Sequence, residues 1–371
     1  MYKILSPYFT IQNRVVLVKG MMRSLLGLFS INMAMDLGTA NTLVYTERKG
    51  IVVNEPSVVA LTRYGNLFLP YAFGYDAKMM LGRSPIDIKT VRPLRGGIIT
   101  DFKTTEEMVK YFIQTASKKR KIVFIKPKVI VCVPYGSTPV ERRAIQESVI
   151  TAGARDVFLT YEPMAAAVGA GLPVTEPIGS MIVDIGGGTT EIGILSLGGM
   201  VYACSIRIGG DTIDDSIIEH VRKDNSLYIG ECTAERVKKR IGYVRIGSKG
   251  VNDNVKNIFI KGRDVETGIP KKAQLFGTGI EHCILSPSTQ ISRIVRSVLE
   301  KAPPEIASDI GESGITITGG GALLENLDIL ISKNTTLNVQ IAPSPLHCVV
   351  LGIGKILENF QFFRHLVFKQ D

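Results

Sequence analysis

Three glycine-containing turns carry the residues in this sequence that can do chemistry. The first runs Met33-Ala34-Met35-Asp36-Leu37-Gly38-Thr39-Ala40-Asn41-Thr42. The second runs Ile182-Val183-Asp184-Ile185-Gly186-Gly187-Gly188-Thr189-Thr190-Glu191, and the third is Thr318-Gly319-Gly320-Gly321-Ala322. In the first two, an apolar run ends in an aspartate, an apolar residue, glycine and then hydroxyls. Glycines let backbone N–H groups approach an anion closely, and such a turn can form a nest for phosphate. A carboxylate at the strand end can hold a hydrated cation beside that phosphate. Taken alone, each stretch also describes a hairpin turn with an acid at its edge. Two related turns in one chain point instead to two halves that grip one ligand. The third turn reads as a strand-to-helix connection that could back a nucleotide's base or sugar.

The elements around these turns are those of an α/β protein. Thr138-Pro139-Val140-Glu141 is a capping box with proline at the first helical position. The helix it opens runs to about Ala152 and leads to a strand over 156–160. Glu162-Pro163 then starts another helix, which puts Glu162 at a strand-to-helix junction. The strand, helix, strand, helix order implies parallel pairing. Strands are also predicted over Met33–Met35, Thr42–Thr46, Ile51–Asn54, Ser57–Thr62, Met181–Asp184 and Glu191–Leu197. Helices are predicted over 101–118, 233–241, 288–300 and 347–358, and a strand-rich insertion over 242–280. The Phe-rich tail 360–371 reads as a docking segment or as a further membrane contact.

The chain has 371 residues, 45% hydrophobic and 21% charged, enough for two domains with a sizeable core. Its net charge of +10 favours anionic partners. Nucleic acid is disfavoured, because no stretch interleaves dense basic residues with stacking aromatics. Five cysteines without a C-x-x-C pair fit reduced thiols in a cytoplasmic protein. The histidines show no metal-ligand spacing. The adjacent pairs His282-Cys283 and His347-Cys348 are read as structural or surface residues, since neighbours in sequence do not readily face one ion. No run approaches the length of a membrane-spanning helix.

Two segments leave alternatives open. Residues 1–20 carry no clear pattern, and Met21 or Met22 is an alternative start. Met22, Leu25, Leu26 and Phe29 then follow helical spacing, with no acid before Asp36. This stripe either docks on the body of the protein or lies in a membrane interface. Lys118-Lys119-Arg120-Lys121 frames Val123 and Phe124. That segment is either a buried strand with solvated flanks or a loop inserted into an anionic bilayer.

Further stretches carry a family resemblance: Val53-Asn54-Glu55-Pro56-Ser57-Val58, Met80-Leu81-Gly82-Arg83, Val140–Ile145, Glu162–Ala167 and Thr233–Lys238. Together with the three turns, in collinear order over roughly 22–358, they resemble the MreB family of bacterial actin-like rod-shape proteins. The resemblance implies an actin-like fold, with two βββαβα domains around a nucleotide cleft and a small subdomain inserted in each. It implies a basic extension (1–33), a domain I of 34–176 plus 341–359 with an insertion near 55–98, and a domain II of 177–340 with an insertion near 212–276. It implies ATP and Mg2+ as ligands and slow, Mg-dependent hydrolysis coupled to polymerisation. Asp36 and Asp184 would hold the ion through water. Gly38, Thr39, Ala40 and Asn41 would form one phosphate turn and Gly186, Gly187 and Gly188 the other. Glu162 would orient the attacking water, with Thr189 as its hydrogen-bond partner. Glu235, Arg236, Val237 and Lys238 would contact the nucleoside, and Gly319, Gly320, Gly321 and Ala322 the adenine side.

The implied partners are further copies in antiparallel double filaments, the anionic inner membrane, and RodZ and MreC/MreD-type wall-synthesis proteins. The implied location is the inner face of the cytoplasmic membrane. On that view Met22, Leu25, Leu26, Phe29, Val123 and Phe124 gain weight as membrane contacts, because a filament multiplies weak anchors. Gly96 and Tyr161 depart from the family pattern, and 243–256 and 276–290 match it poorly. A soluble or plasmid-segregating ATPase of the same superfamily is the alternative. No G-x-x-x-x-G-K-[ST] occurs, so this is not a P-loop protein.

Overall fold

Two five-stranded sheets with one shared plan organise the chain. The computed structural model describes residues 32–117, 126–246 and 256–370. The amphipathic stripe with Met22, Leu25, Leu26 and Phe29, and the Val123-Phe124 segment, lie outside these residues. In the first sheet, strands Met33–Leu37, Asn41–Thr46 and Gly50–Pro56 form an antiparallel meander. Lys128–Val133 and Asp156–Tyr161 add in parallel on the other side of Met33–Leu37. The second sheet repeats this. Ser180–Ile185, Thr190–Ser196 and Gly199–Ile206 form the meander, and Ile315–Thr318 and Val339–Ile341 add in parallel. Each sheet therefore has the order 5-4-1-2-3 in its own strands. The continuous apolar runs in the central strands follow from burial on both faces.

The sheets are joined by helices built for close approach. Helix Glu162–Ala170 starts with proline at its first turn and ends on Gly171 in the left-handed region, at φ 79°. It packs against helix Cys348–Glu358 in a core that also holds Ala34 and Ile130 of the first sheet and Ile182 and Leu195 of the second. Helix Pro139–Thr151 carries the expected capping box, with Thr138 and Glu141 bonded reciprocally. Small sheets lie to the side: Val59–Tyr64 with Leu67–Phe73 and Ile88–Val91, and Leu227–Tyr228 with Asn257–Asp264 and Pro270–Phe276. No described helix is long and apolar enough to cross a membrane.

One element differs from the sequence expectation, and a second follows one of the two readings given for it. The helix expected from 288 runs Gly277–Leu299, with Pro287 inside it. Proline removes one ladder hydrogen bond, but Ile280, Cys283, Ile284, Ile291 and Val295 form one buried stripe that continues through it. The tail docks. Leu159 and Phe368 exchange backbone hydrogen bonds of 2.8 and 2.9 Å, and Thr160 Oγ1 donates to Leu366 O at 3.0 Å.

Candidate functional site

The glycine turns converge because each one ends a central strand of its sheet. Asp36 lies in strand Met33–Leu37 and Asp184 in strand Ser180–Ile185, at equivalent places in the two sheets. The turns that follow touch across the gap. A Cβ on Gly187 would stand 2.8 Å from the Ala40 Cβ, and one on Gly188 would stand 2.8 Å from Thr39 Oγ1. The first turn is braced by Ser57, whose Oγ donates to Gly38 O at 2.6 Å. In the second, Gly186 N donates to Thr189 O at 2.8 Å. The third turn closes on Asp184. Gly319 has φ +81°, and a Cβ there would stand 2.5 Å from Asp184 Oδ1. Only glycine fits both demands.

Together they line a cavity of about 650 Å³. It takes in Asp36, Gly38, Thr39, Ala40, Asn41, Glu162, Asp184, Gly186, Gly187, Gly188, Thr189, Glu235, Lys238, Gly319, Gly320 and Gly321, all expected at one site from sequence. Three expected residues do not line it. Val237 and Ala322 are fully buried in the core, and Arg236 is exposed on the outer face of its helix. On helix Glu231–Ile241, Glu235 and Lys238 are three apart and share a face, whereas 236 and 237 turn away. Thr189 lies against Gly97, and among the described residues no hydrogen bond joins it to Glu162.

The cavity has further polar walls that sequence reasoning missed. Gly210 N and Asp211 N donate to Gly186 O and Gly187 O at 3.0 and 2.8 Å, so helix Gly210–Asp224 pins the second turn. Lys238 Nζ bonds Gly210 O and Asp214 Oδ2, each at 2.8 Å. Lys78 pairs with Glu235 at 2.8 Å, and Arg92 pairs with Asp211 at 2.7 Å and Glu231 at 3.4 Å. These pairs tie the first half of the chain to the second beside the cavity. The signal for one of them is present in the sequence: Gly209-Gly210-Asp211 is a fourth glycine turn.

Three acids, Asp36, Glu162 and Asp184, line the floor of the cavity, and a fourth, Glu191, is buried close enough to act on two of them. Asp36 keeps contact with the cavity but is surrounded by protein, and burial raises its pKa to about 6. Burial, then Asp36 and Glu191, push Asp184 up to about 8. Glu162, at the first turn of its helix, is raised well above the carboxylate range by burial and then by Glu191, Asp36 and Asp184. Glu191 is raised to about 7 by burial, although Ser205 Oγ donates to it at 2.5 Å and Tyr135 N at 3.0 Å. Among the described residues no basic side chain forms an ion pair with any of the four. Uncompensated negative charge on oxygen donors is the environment a hard divalent cation requires.

This predicts an unusual pH dependence. Raised carboxylate pKa values mean that the folded chain binds more protons than the unfolded one between about pH 4 and pH 8. In that window stability should fall as pH rises, and the fall should level off only above the Asp184 value of about 8. Melting of the protein without added cation should therefore occur at lower temperature at pH 8 than at pH 5.5, and millimolar Mg2+ with nucleotide should flatten the profile. A melting temperature that rises over this range would remove the acid cluster as a source of strain.

Comparison with known proteins bears on this geometry. A family model described as MreB/Mbl protein matches residues 30–365. The chain is 50% identical over 353 residues to the cell shape-determining protein MreB of Escherichia coli (strain K12), covering 95% of this chain and 100% of that protein. It is 40% identical over 332 residues to the cell shape-determining protein Mbl of Bacillus subtilis (strain 168), covering 90% and 97%. Among solved structures, MreB5 of Spiroplasma citri bound to ADP superposes with a TM-score of 0.81 at 35% identity, covering 90% of this chain and 98% of that one. The same protein bound to AMPPNP gives 0.82. A MamK double helical filament gives 0.72 at 18% identity, which speaks to the fold alone.

Proposed function

Because the chain belongs to the MreB/Mbl family and has its actin-like fold, we propose that it is an ATP-binding and ATP-hydrolysing cytoskeletal protein. In this reading it polymerises into membrane-attached, antiparallel double filaments that determine cell shape and direct peptidoglycan synthesis with RodZ and MreC/MreD-type partners. Domain I takes in 34–176 and 341–359, and domain II takes in 177–340. The observation that carries the reading is the contact of the two glycine turns beneath a floor of unpaired acids. The ADP and AMPPNP held by the Spiroplasma neighbour support nucleotide as the occupant.

Asp36 and Asp184 fit a hydrated Mg2+, which supplies charge neutralisation beside the phosphates when bound. The chain's own residues position everything else, as phosphoryl transfer demands. Backbone N–H groups of Thr39–Asn41 and of Gly187 and Gly188, in the turn that Gly186 opens by bonding Thr189 O, cradle the phosphates. Glu162 accepts a hydrogen bond from the attacking water and orients it. Thr189 reaches Glu162 through that water, which agrees with the lack of a direct bond between them. Glu235 and Lys238 face the nucleoside, and Gly319–Gly321 back the base. Lys78 and Arg92 hold the two halves together around the ligand.

Sedimentation tests the filament reading. With ATP and Mg2+ the protein should pellet, and with anionic liposomes it should pellet at lower concentration. Leu25→Ser, Leu26→Ser and Phe29→Ser combined should lower liposome recovery by about ten-fold or more, since multivalent attachment amplifies a weak anchor. Nucleotide affinity should not change. A chain that stays monomeric in every mixture is a soluble ATPase instead.

A further inference from the structure

Helices Gly210–Asp224 and Gly277–Leu299 pack together behind the cavity, and their contact gathers His220, His282 and Cys283. One ligand-type atom from each residue lies within 4.8 Å of the others. Cys283 Sγ and His282 Nε2 are 3.5 Å apart. The His220 and His282 rings meet edge-to-face, with centroids 4.7 Å apart. His220 Nδ1 faces Asp224 Oδ2 at 3.3 Å. Neighbouring helical positions diverge by about 100°, which is why His282-Cys283 reads from sequence as a pair unable to share an ion. The His282 ring lies back over the sulfur instead, and His220 arrives from the other helix.

We propose that His220, His282 and Cys283 form a binding site for a thiophilic divalent cation of the zinc class, with Asp224 supporting His220 from the outer sphere. The donor set is two imidazoles and a sulfur, which selects borderline-soft metals over Mg2+ or Ca2+. An imidazole whose Nδ1–H donates to a carboxylate presents Nε2 to the metal, and that carboxylate–histidine pairing is the usual support behind a metal-bound histidine. Tetrahedral bonds of about 2.0–2.3 Å place ligand atoms about 3.3–3.8 Å apart. The atoms here need to close by only about 1 Å, within reach of small side-chain rotations. Water completes the fourth position. Cys283 binds as thiolate, and its proton leaves to solvent.

The burial pattern fits a site with an entrance. Cys283 is buried, His220 is nearly so, and His282 is exposed, so a cation enters past His282. As the sulfur stands, its remaining contacts are weak: Ser216 O is 3.5 Å away. The position also has a consequence. The His220 helix carries Gly210, Asp211 and Asp214 on the cavity wall, and the Cys283 helix carries Ser288 and Ile291 there. A cation at their contact staples together two helices that both line the cavity.

Cobalt titration of the full chain, stripped by chelator under reducing conditions, tests this directly. One Co2+ per chain should bind, with a thiolate-to-cobalt charge-transfer band in the near ultraviolet and the intense visible bands of a tetrahedral centre. Zn2+ should displace it. Cys283→Ser should abolish the charge-transfer band, and His282→Ala should weaken Co2+ binding by at least about ten-fold. His282 is exposed, so its replacement leaves the fold intact, as circular dichroism will verify. Cys232→Ser, which removes an exposed thiol elsewhere, should keep the band. Absence of the band in the parent chain, or unchanged binding in both Cys283→Ser and His282→Ala, would overturn the site.

Discussion

Glu162→Gln should lower ATP turnover by about 10²- to 10³-fold and leave nucleotide affinity within about two-fold. The substitution keeps the size and shape of a residue on the cavity floor and removes only its charge. A glutamine can still meet water but holds it less strongly, so the loss falls on the water-orienting step and not on binding. The same change has a second, independent signature. Glu162 stands among Asp36, Asp184 and Glu191, all with raised pKa values. Burial and those three neighbours make charging Glu162 costly in the folded state, and a glutamine escapes that cost, so the variant without added cation should melt at a higher temperature than the parent at pH 8. Single-turnover phosphate release gives the first readout and thermal melting the second. Turnover within about three-fold of the parent would mean that another group orients the water.

What could be read from sequence follows a physical rule. The glycine turns were legible because each follows a short strand-like run rich in apolar residues, and strand plus turn is a local pattern. Glu162 was legible because proline at 163 marks a helix start. The pairs Lys78–Glu235 and Arg92–Asp211 were not, since their partners are far apart in the chain and leave no periodic trace. Arg236, Val237 and Ala322 were expected in the site because a motif was carried over whole. Only part of a helical stretch can face one cavity. Pro287 hid the first half of the long helix, because local propensity speaks against what a buried stripe then enforces. The His220, His282 and Cys283 cluster escaped for the same reason as the ion pairs: two helices supply it.

The placement of Glu162 depends on glycines far from the acids, and this gives the last large expected effect. A Cβ on Gly352 would stand 1.8 Å from Ala165 O and 2.8 Å from Gly169 N. One on Gly169 would stand 1.9 Å from Cys348 O. The obstacles are backbone atoms, so no rotamer change can relieve them, and helix Glu162–Ala170 must move away from helix Cys348–Glu358. Overpacking of this kind costs about 1–3 kcal/mol and occasionally more. Gly352→Ala should therefore lower the melting temperature by several degrees. Gly311→Ala is the matched control. It also lies within a helix, is exposed, and a Cβ there meets nothing within 4 Å, so alanine should stabilise by about 0.5–1 kcal/mol. The two identical substitutions should thus have opposite signs. Since Glu162 is the first residue of the displaced helix, turnover by the folded Gly352→Ala protein should also fall, up to about 10²-fold for a shift near 1 Å. Melting of Gly352→Ala at or above the parent would show that the two helices are not held at this contact, and Glu162 would then need another support.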